Sequence, residues 1–453
     1  LYIFIKMDIS IVVATDSKNG IGLNENEKFY IPWHHKDDMR FFKKITSGEN
    51  KAIIVGRNTY FTFPKKDDIP MLPNRLNIVL TSKPELIPKH ENIKTFASLN
   101  DAIAYCKSIK IENVYICGGS NVYKESFHLP GLKYIYWNLI KKTDKECNIH
   151  LPFIPLDLYL LKYKICDDID YRLYTVNGYE HAYLNLLDNI IKNGDERPTR
   201  NAITKSLFAK TLKFNLKENF PLLTTKKMFL RGIFEELIWF LKGETDSKLL
   251  EEKKVNIWKG NTSKEFLDQR ELNYKEGDVG NMYGFQWRHN GTKYEGCETD
   301  YSNKGFDQIK YCLNLLRTDK YSRRILMTTY SPHDACDGVL YPCHGLVVQW
   351  YVKEVNGVNW LSCHMYQRSA DMFLGVPFNI SSYSLLTYMF CEILNNKFEL
   401  NFKPDMLTIS FGDVHIYDTH FEQVEEQLKR IPYQFPNLTF TRKVKNLKDF
   451  VWD

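Results

Sequence analysis

Two short stretches of the chain hold side chains that could carry out nucleophilic chemistry. One is Leu340-Tyr341-Pro342-Cys343-His344 and the other is Ser362-Cys363-His364-Met365-Tyr366-Gln367-Arg368-Ser369-Ala370-Asp371. A cysteine thiol is mostly protonated at neutral pH, so its use as a nucleophile requires a cation or a helix N-terminus that favours the thiolate. Arg368 can supply that charge if the two stretches lie side by side. Residues 346–352 read as a buried strand, and 360–369 alternate so that His364, Tyr366 and Arg368 share one face. Considered alone, Cys343 reads more often as a small buried hydrophobe than as a nucleophile. The Cys-His dipeptides do not read as a zinc site, because adjacent strand residues point to opposite faces and no Cys-x-x-Cys or His-x-x-x-His accompanies them.

Two carboxylates stand out in apolar surroundings. Within a predicted helix over 36–46, Asp38 lies one turn from Phe41 and Phe42, so the three side chains are expected to point into one cleft. Burial there raises a carboxylate's pKa. The alternative for Asp38 is an exposed acid that suits the helix N-terminus. Glu236, within Glu235-Glu236-Leu237-Ile238-Trp239-Phe240-Leu241, is either a rare buried acid or a proton handler. Gly56-Arg57-Asn58-Thr59 and Gly118-Gly119-Ser120-Asn121 each follow a predicted strand and open a helix, offering backbone N–H groups to a phosphate. Neither is a Gly-x-Gly-x-x-Gly fingerprint, and each alone reads equally as a tight turn.

These residues need a framework, and the chain is long enough for more than one core. At 453 residues it suggests two or three domains. A net charge of +6 is too mild for a nucleic-acid scaffold and fits sites for small anions, so no dedicated nucleic-acid site is expected. Ten cysteines without a spacing pattern fit reduced thiols, and a cytoplasmic location is the default. The opening Leu1-Tyr2-Ile3-Phe4-Ile5 is too short for a signal segment, and no stretch is long enough to span a membrane. Strands are predicted at 9–14, 52–55, 76–80, 114–117, 134–139 and 171–176, and helices at 36–46, 99–108 and 120–127. Their alternation predicts an α/β domain with a largely parallel sheet over residues 1–177. Its ligands are expected beyond the carboxyl ends of the strands. A turn at Asn177-Gly178 leads directly into an amphipathic helix over 179–192, which opens a second domain over 178–453.

The first half resembles dihydrofolate reductase. The resemblance rests on Ala14, Ile21-Gly22, Pro32-Trp33, Asp38, Phe42, Gly56-Arg57-x-Thr59, Leu72-Pro73-Asn74-Arg75, Thr81-Ser82 and Gly118-Gly119, in order and spacing. It implies that Asp38 holds the pterin and helps deliver a proton, that Trp33 and Phe42 line the pterin slot, and that Arg75 pairs the folate glutamate. It further implies NADPH as cofactor, with Arg57 and Thr59 at its pyrophosphate, Thr81 and Ser82 near its 2′-phosphate, and Gly118 and Gly119 allowing close approach. Ala14, Ile21, Gly22 and Ser120 complete the implied cofactor site. Where that family has a threonine supporting the acid, this sequence offers Trp137 or Asn138. Cys117 takes the place of an aliphatic residue.

The second half resembles thymidylate synthase, through Pro342-Cys343-His344, Tyr366-Gln367-Arg368-Ser369 and Asp371-Met372-Phe373-Leu374-Gly375-Val376-Pro377-Phe378-Asn379. The resemblance implies an α+β fold and the reductive methylation of dUMP with 5,10-methylenetetrahydrofolate, begun by addition of Cys343 to the pyrimidine. Glu236, Tyr283 and His344 would handle protons, Asn379 would read the pyrimidine, and Gln367 would join the substrate-binding residues through its place in the phosphate motif. Arg368, Ser369, Arg323 and Arg324 would hold the phosphate, His415 and Tyr417 the ribose hydroxyl, and Trp258 and Asp371 the folate. The loop that carries a further phosphate arginine reads Glu196-Arg197-Pro198-Thr199-Arg200-Asn201, so Arg200 or Arg197 would serve. The family continues beyond the counterpart of Asp453 into a tail that closes over the folate, so a continuation is expected here.

Together the halves imply one bifunctional enzyme in which the synthase makes the reductase's substrate. The rival reading is an active reductase whose weakened synthase half serves as a dimerisation or RNA-binding scaffold. Adjacent residues on a regular strand diverge, so Arg323 and Arg324 cannot readily serve one local phosphate. The family donates the pair across a two-fold axis, which implies a homodimer with shared sites. Without the resemblance, the pair reads as a surface cluster balanced by Asp319.

Overall fold

The structure, a computed structural model, describes residues 7–129, 131–199, 202–217 and 219–452. Arg200 lies outside these residues. The chain divides into two compact units: the first runs to His181 and includes Ile431–Gln434, and the second holds Ala182–Arg430 and the residues from Phe435 onward.

Apolar, β-branched runs form the first unit's sheet. In chain order its strands are β1 (Asp8–Thr15), β2 (Lys51–Gly56), β3 (Leu76–Leu80), β4 (Ile93–Phe96), β5 (Asn113–Ile116), β6 (Leu132–Ile140), β7 (Tyr159–Ile165) and β8 (Ile169–Thr175). They lie in the order β7-β8-β6-β1-β5-β2-β3-β4. The pairs from β6 through β4 are parallel, and β8 runs antiparallel to β6 and β7. Central strands such as β2 are buried on both faces, as a sheet covered by helices requires. The helices include α1 (Lys36–Thr46), α2 (Arg57–Tyr60), α3 (Leu99–Ser108) and α4 (Ser120–Ser126). The predicted strands and helices of this half all form, to within two residues at either end. Two sheet strands, β4 and β7, have no counterpart in the prediction. β4 is four residues long, and β7 is exposed along most of its length, so neither has a clear apolar pattern.

Residues 431–434 are part of this first unit. The Tyr433 hydroxyl donates to Asp8 Oδ1 at 2.9 Å, while Lys133 Nζ donates to Asp8 Oδ2 at 2.7 Å. Asn177 Nδ2 donates to the Tyr433 carbonyl at 2.8 Å, and the Gln434 N–H donates to the Leu132 carbonyl at 3.1 Å.

The second unit begins within helix α5 (Gly178–Asn193). Its six-stranded sheet contains β9 (Asp195–Pro198), β10 (Ile203–Asn215), β11 (Leu326–Met327), β12 (Val347–Val355), β13 (Val358–Asp371) and β14 (Phe402–Tyr417), in the order β9-β10-β14-β13-β12-β11. Helix α6 (Gly375–Phe398) is apolar around most of its circumference and is largely buried. Trp350 of β12 stacks on its Phe390, with ring centroids 4.9 Å apart.

The predicted buried run at 346–352 alternates instead. Val348, Trp350 and Val352 are buried, whereas Val347 and Tyr351 are exposed, because the sheet is covered on one face only. On the open face Val347 pairs with Tyr366, Gln349 with His364 and Tyr351 with Ser362. His364 lies on a shallow cavity of about 220 Å³ with Gln349, Tyr351, Ser362, Met406 and Thr408. It therefore does not share a thiol cavity with Arg368.

β13 and β14 run parallel, with Gly412 set against Arg368. A Cβ on Gly412 would sit 2.6 Å from the Arg368 carbonyl and 3.0 Å from the Tyr366 hydroxyl. The first contact is with backbone and cannot be relieved by a rotamer change. Gly412→Ala is therefore expected to push Arg368 away, cutting the dUMP methylation that the resemblance implies at least tenfold while the implied dihydrofolate reduction stays within twofold. Paired assays on one preparation check this.

Candidate active sites

The thiol site is assembled from a loop, a strand and the segments that pack behind them. Cys343 lies in the irregular segment before β12, not on a strand as expected, because Pro342 and Gly345 flank it and the Gly345 backbone has a φ of +66°. Arg368 stands on β13, and its N–H donates to the Cys343 carbonyl at 2.8 Å. This bond brings Arg368 Nη2 to 4.0 Å from the thiol sulfur. The Cys343 N–H donates to the Tyr283 hydroxyl at 3.0 Å, and the thiol donates to the Tyr341 carbonyl at 3.2 Å. Burial pushes the Cys343 thiol up, and the Arg368 charge and the Tyr283 hydroxyl pull it back. Burial and the nearby cation thus act on this thiol in opposite directions, and the cation is the group that favours its ionised form.

The groups expected to handle protons are Tyr283, His344 and Glu236. Tyr283, with φ +34°, adopts a backbone conformation uncommon for a residue with a side chain. Its ring stacks on His344 at 4.3 Å. Burial pushes the His344 imidazole down to about 3, so it is neutral, and its Nδ1 lies 2.9 Å from the Tyr383 hydroxyl. Glu236, on the helix Leu230–Lys242, accepts from Trp258 Nε1 at 2.8 Å. Burial pushes Glu236 up to about 7, with the indole bond opposing the shift. Its neighbour Glu235 is buried but paired with Lys253 at 2.5 Å. The two adjacent acids therefore divide into a paired one and one poised near neutrality.

The predicted nucleotide-reading residues sit on β13, β14 and α6. Asn379 is buried early in α6, and Gln367 is buried on β13 beside half-buried Ser369. His415 is buried, its Nδ1 lies 2.8 Å from Asp413 Oδ1, and its ring meets Tyr417 edge-on. Arg197 Nη1 lies 3.6 Å from the other Asp413 oxygen. Asp371 Oδ1 accepts the N–H groups of Phe373 and Leu374, capping the approach to α6. Trp258 directs its N–H to Glu236. Arg323 and Arg324 are exposed in a turn just before β11, not within a strand. Among the described residues neither forms an ion pair, with Asp319 or any other acid. One group the sequence reading did not single out is Lys226. Burial pushes its amine down to about 8, and it donates to the Phe373 carbonyl at 2.6 Å. The Lys226-Lys227 doublet was its only signal, and sequence cannot tell which of the two turns inward.

The first unit contains an apolar cavity of about 220 Å³ lined by Ala14, Ile21, Trp33, Asp38, Phe42, Cys117 and Asn138, among others. Asp38 shares it with Phe42 but not with Phe41, which instead packs against Tyr136 and Tyr171. On this helix the i+4 neighbour shares the acid's cavity and the i+3 neighbour does not. Asn138, not Trp137, supports the acid: its Nδ2 donates to Asp38 Oδ1 at 2.7 Å, while Trp137 Nε1 donates to Thr15 Oγ1. Burial pushes Asp38 up, and Asn138 and His35 oppose the shift. Arg75 is 7% exposed and donates to Thr46, Ser47 and the Pro73 carbonyl. Among the described residues it has no carboxylate partner, which leaves its charge available for an anion.

A second cavity of about 590 Å³ is lined by Gly56, Arg57, Thr59, Thr81, Ser82, Gly119 and Ser120. These residues follow the carboxyl ends of β2, β3 and β5, and Thr59 and Gly119 also line the acid's cavity. A Cβ on Gly119 would sit 3.3 Å from Thr59 Oγ1, so the glycine keeps the passage between the cavities open. Gly22 lies on a neighbouring strand, Gly20–Glu25, that pairs with Ile149. An elongated groove with one guanidinium, several hydroxyls and two helix starts suits a phosphate-bearing dinucleotide, and the apolar cavity beside it suits a planar ring.

Comparison with known proteins bears on both halves. The dihydrofolate reductase family model matches residues 8–186 and the thymidylate synthase family model matches residues 181–453. The bifunctional dihydrofolate reductase-thymidylate synthase of Paramecium tetraurelia is 37% identical, across 98% of this chain and 94% of its own length. That of Leishmania major is 37% identical across 97% and 91%, and bifunctional dihydrofolate reductase-thymidylate synthase 2 of Arabidopsis thaliana is 35% identical across 98% and 85%. The chain belongs to the bifunctional dihydrofolate reductase-thymidylate synthase family. It is a bifunctional folate enzyme whose reductase half uses NADPH and whose synthase half uses 5,10-methylenetetrahydrofolate with dUMP. The reductase half has the mostly parallel sheet expected of it, and the synthase half has the mixed sheet and helices of an α+β fold.

The raised Glu236 pKa predicts a stability effect with a definite sign. A carboxyl whose pKa rises on folding favours the folded state fully below its unfolded pKa near 4.5, and this contribution is lost as pH climbs through about 7. Glu236→Gln removes the charged form. Relative to the parent chain it should be more stable at pH 8 by about 3 kcal/mol and about equally stable at pH 4, with methylation of dUMP largely lost. Thermal melts at the two pH values measure the difference.

Proposed function

We propose that residues 1–177 act as the reductase domain and 178–453 as the synthase domain of one cytoplasmic enzyme, with the site roles set out below. The approach of Arg368 to the Cys343 thiol, beside a Glu236 poised near neutrality, carries the synthase assignments. Cys343 adds to the pyrimidine ring of dUMP, and Arg368 stabilises the thiolate before the attack. Glu236, with Tyr283 and neutral His344, moves protons at the ring. Asn379 reads the base, and Gln367 and Ser369 join the arginines around the bound nucleotide. His415 and Tyr417 hold the ribose, with Asp413 fixing the imidazole. Trp258 and Asp371 face the folate, which supplies the one-carbon unit and the reducing hydride. Arg200 or Arg197 completes the phosphate site, and Arg197 already leans on Asp413.

In the reductase domain Asp38 binds the pterin amidine and favours protonation of the ring that receives hydride, while Trp33 and Phe42 sandwich the ring. Arg75 pairs the glutamate carboxylate of the folate. NADPH supplies the hydride, and Ala14, Ile21, Gly22, Arg57, Thr59, Thr81, Ser82, Gly118, Gly119 and Ser120 would hold it. These assignments predict separable activities. Asp38→Asn should lower dihydrofolate reduction at least a hundredfold and leave methylation intact, whereas Cys343→Ser should do the reverse. NADPH oxidation with dihydrofolate and dihydrofolate release with dUMP measure the two.

The enzyme is a homodimer in this reading, joined through the open face of the synthase sheet. Exposed Tyr351, Val347 and Tyr366 on that face support the interface, and a two-fold operation makes it self-complementary. Arg323 and Arg324, exposed and without acidic partners among the described residues, then reach the partner's phosphate site. Mixing Cys343→Ser chains with Arg323→Ala/Arg324→Ala chains after dissociation should restore methylation, because each mixed dimer has one site with neither defect. No recovery would place the arginines in their own chain's site.

A further inference from the structure

Tyr383 stands on α6 with 1% of its surface exposed, and its hydroxyl lies 2.9 Å from His344 Nδ1. Among the described residues this is the only hydrogen bond of that hydroxyl. Gly345, at φ +66°, leaves room for it, because a Cβ there would overlap the hydroxyl oxygen. The half-buried imidazole is stacked on Tyr283 at 4.3 Å and meets the Tyr383 ring edge-on at 5.7 Å. Turning the imidazole over would set a carbon against the hydroxyl, so the bond also fixes the ring's orientation.

A buried hydroxyl has to place its hydrogen, and Nδ1 is the acceptor within reach. In the reverse arrangement Nδ1–H would donate, and the Tyr383 hydrogen would have no acceptor among the described residues. Nδ1 therefore accepts, and the single hydrogen of the neutral imidazole sits on Nε2. Nε2 forms no hydrogen bond among the described residues and is not one of the buried side-chain atoms left without a partner, so it stays open to a ligand.

We propose that Tyr383 is a positioning residue of the synthase site, whose hydroxyl holds His344 in the Nε2–H tautomer and so makes the imidazole a hydrogen-bond donor to the bound pyrimidine. The use of that donor rests on the synthase reading. Addition of the Cys343 thiolate forms an S–C bond and moves the π pair of the attacked double bond toward a ring carbonyl, whose oxygen takes up negative charge. An N–H fixed before the attack stabilises that charge without reorganising. Within the proton-handling group, His344 then contributes through the hydrogen bond it donates, and Glu236 is the member that gains and loses a proton.

The test labels the histidines of the full-length chain with the heavy nitrogen isotope and reads by NMR which imidazole nitrogen of His344 carries the hydrogen, with the His344→Asn spectrum assigning the signal. Nε2–H is expected in the parent chain. In Tyr383→Phe, which keeps the ring and removes the hydroxyl, the two tautomers should mix. That variant should lose about tenfold in kcat for dUMP methylation while its KM for dUMP stays within about twofold, because the fixed donor matters most as charge develops. An Nδ1–H signal in the parent chain would overturn the proposal, and reading it needs no variant that folds. So would a Tyr383→Phe chain that keeps the parent's tautomer, since any loss of activity would then come from packing alone. A parent chain that shows Nε2–H and yet methylates no dUMP would instead overturn the synthase reading, and with it the use proposed for the donor.

Discussion

One backbone hydrogen bond, from the Arg368 N–H to the Cys343 carbonyl, organises the synthase half. It ties an irregular loop to a central strand, so the thiol takes its position from the sheet and not from its own segment. The guanidinium reaches the sulfur because the two residues are already joined through their main chains. Gly412 lets the neighbouring strand come close behind Arg368, and the Tyr283 hydroxyl takes the Cys343 N–H. A nucleophile on a loop gains the precision of a sheet at the cost of tolerating few changes around it.

The reductase half relies on burial more than on charge. Asp38 lies among aromatic and aliphatic side chains, and its support is a neutral amide. Glu236 is handled in a similar way, with the Trp258 indole N–H as its partner and burial as the larger influence. In both cases a cation close by would favour the ionised carboxyl and oppose the upward shift that burial causes.

Much of this was legible in the sequence. The parallel sheet followed from β-branched runs alternating with helical ones, Asp38 and Glu236 were marked as acids among apolar residues, and Cys343 and Arg368 as a thiol and a cation on stretches that could lie side by side. The illegible parts share a physical cause: they depend on neighbours distant in the chain. Periodicity put His364 and Arg368 on one strand face but could not reveal that the face lies open, because covering is decided by other elements. Helical spacing offered Phe41 and Phe42 equally, and packing by Tyr136 and Tyr171 separated them. The choice between Trp137 and Asn138 turned on a one-residue strand register, which alternation alone leaves undetermined. Lys226 had no signal beyond its doublet.

Membership of Ile431–Gln434 in the first unit has a consequence for how the chain is made. These residues leave the ribosome after the whole of 182–430, so the partners of Tyr433, Asp8 and Lys133 among them, wait through synthesis of most of the second unit. The chain's order of synthesis and the grouping of its contacts therefore differ. Its first unit is begun first and closed late, and a nascent chain arrested before residue 431 carries that unit without its final strap.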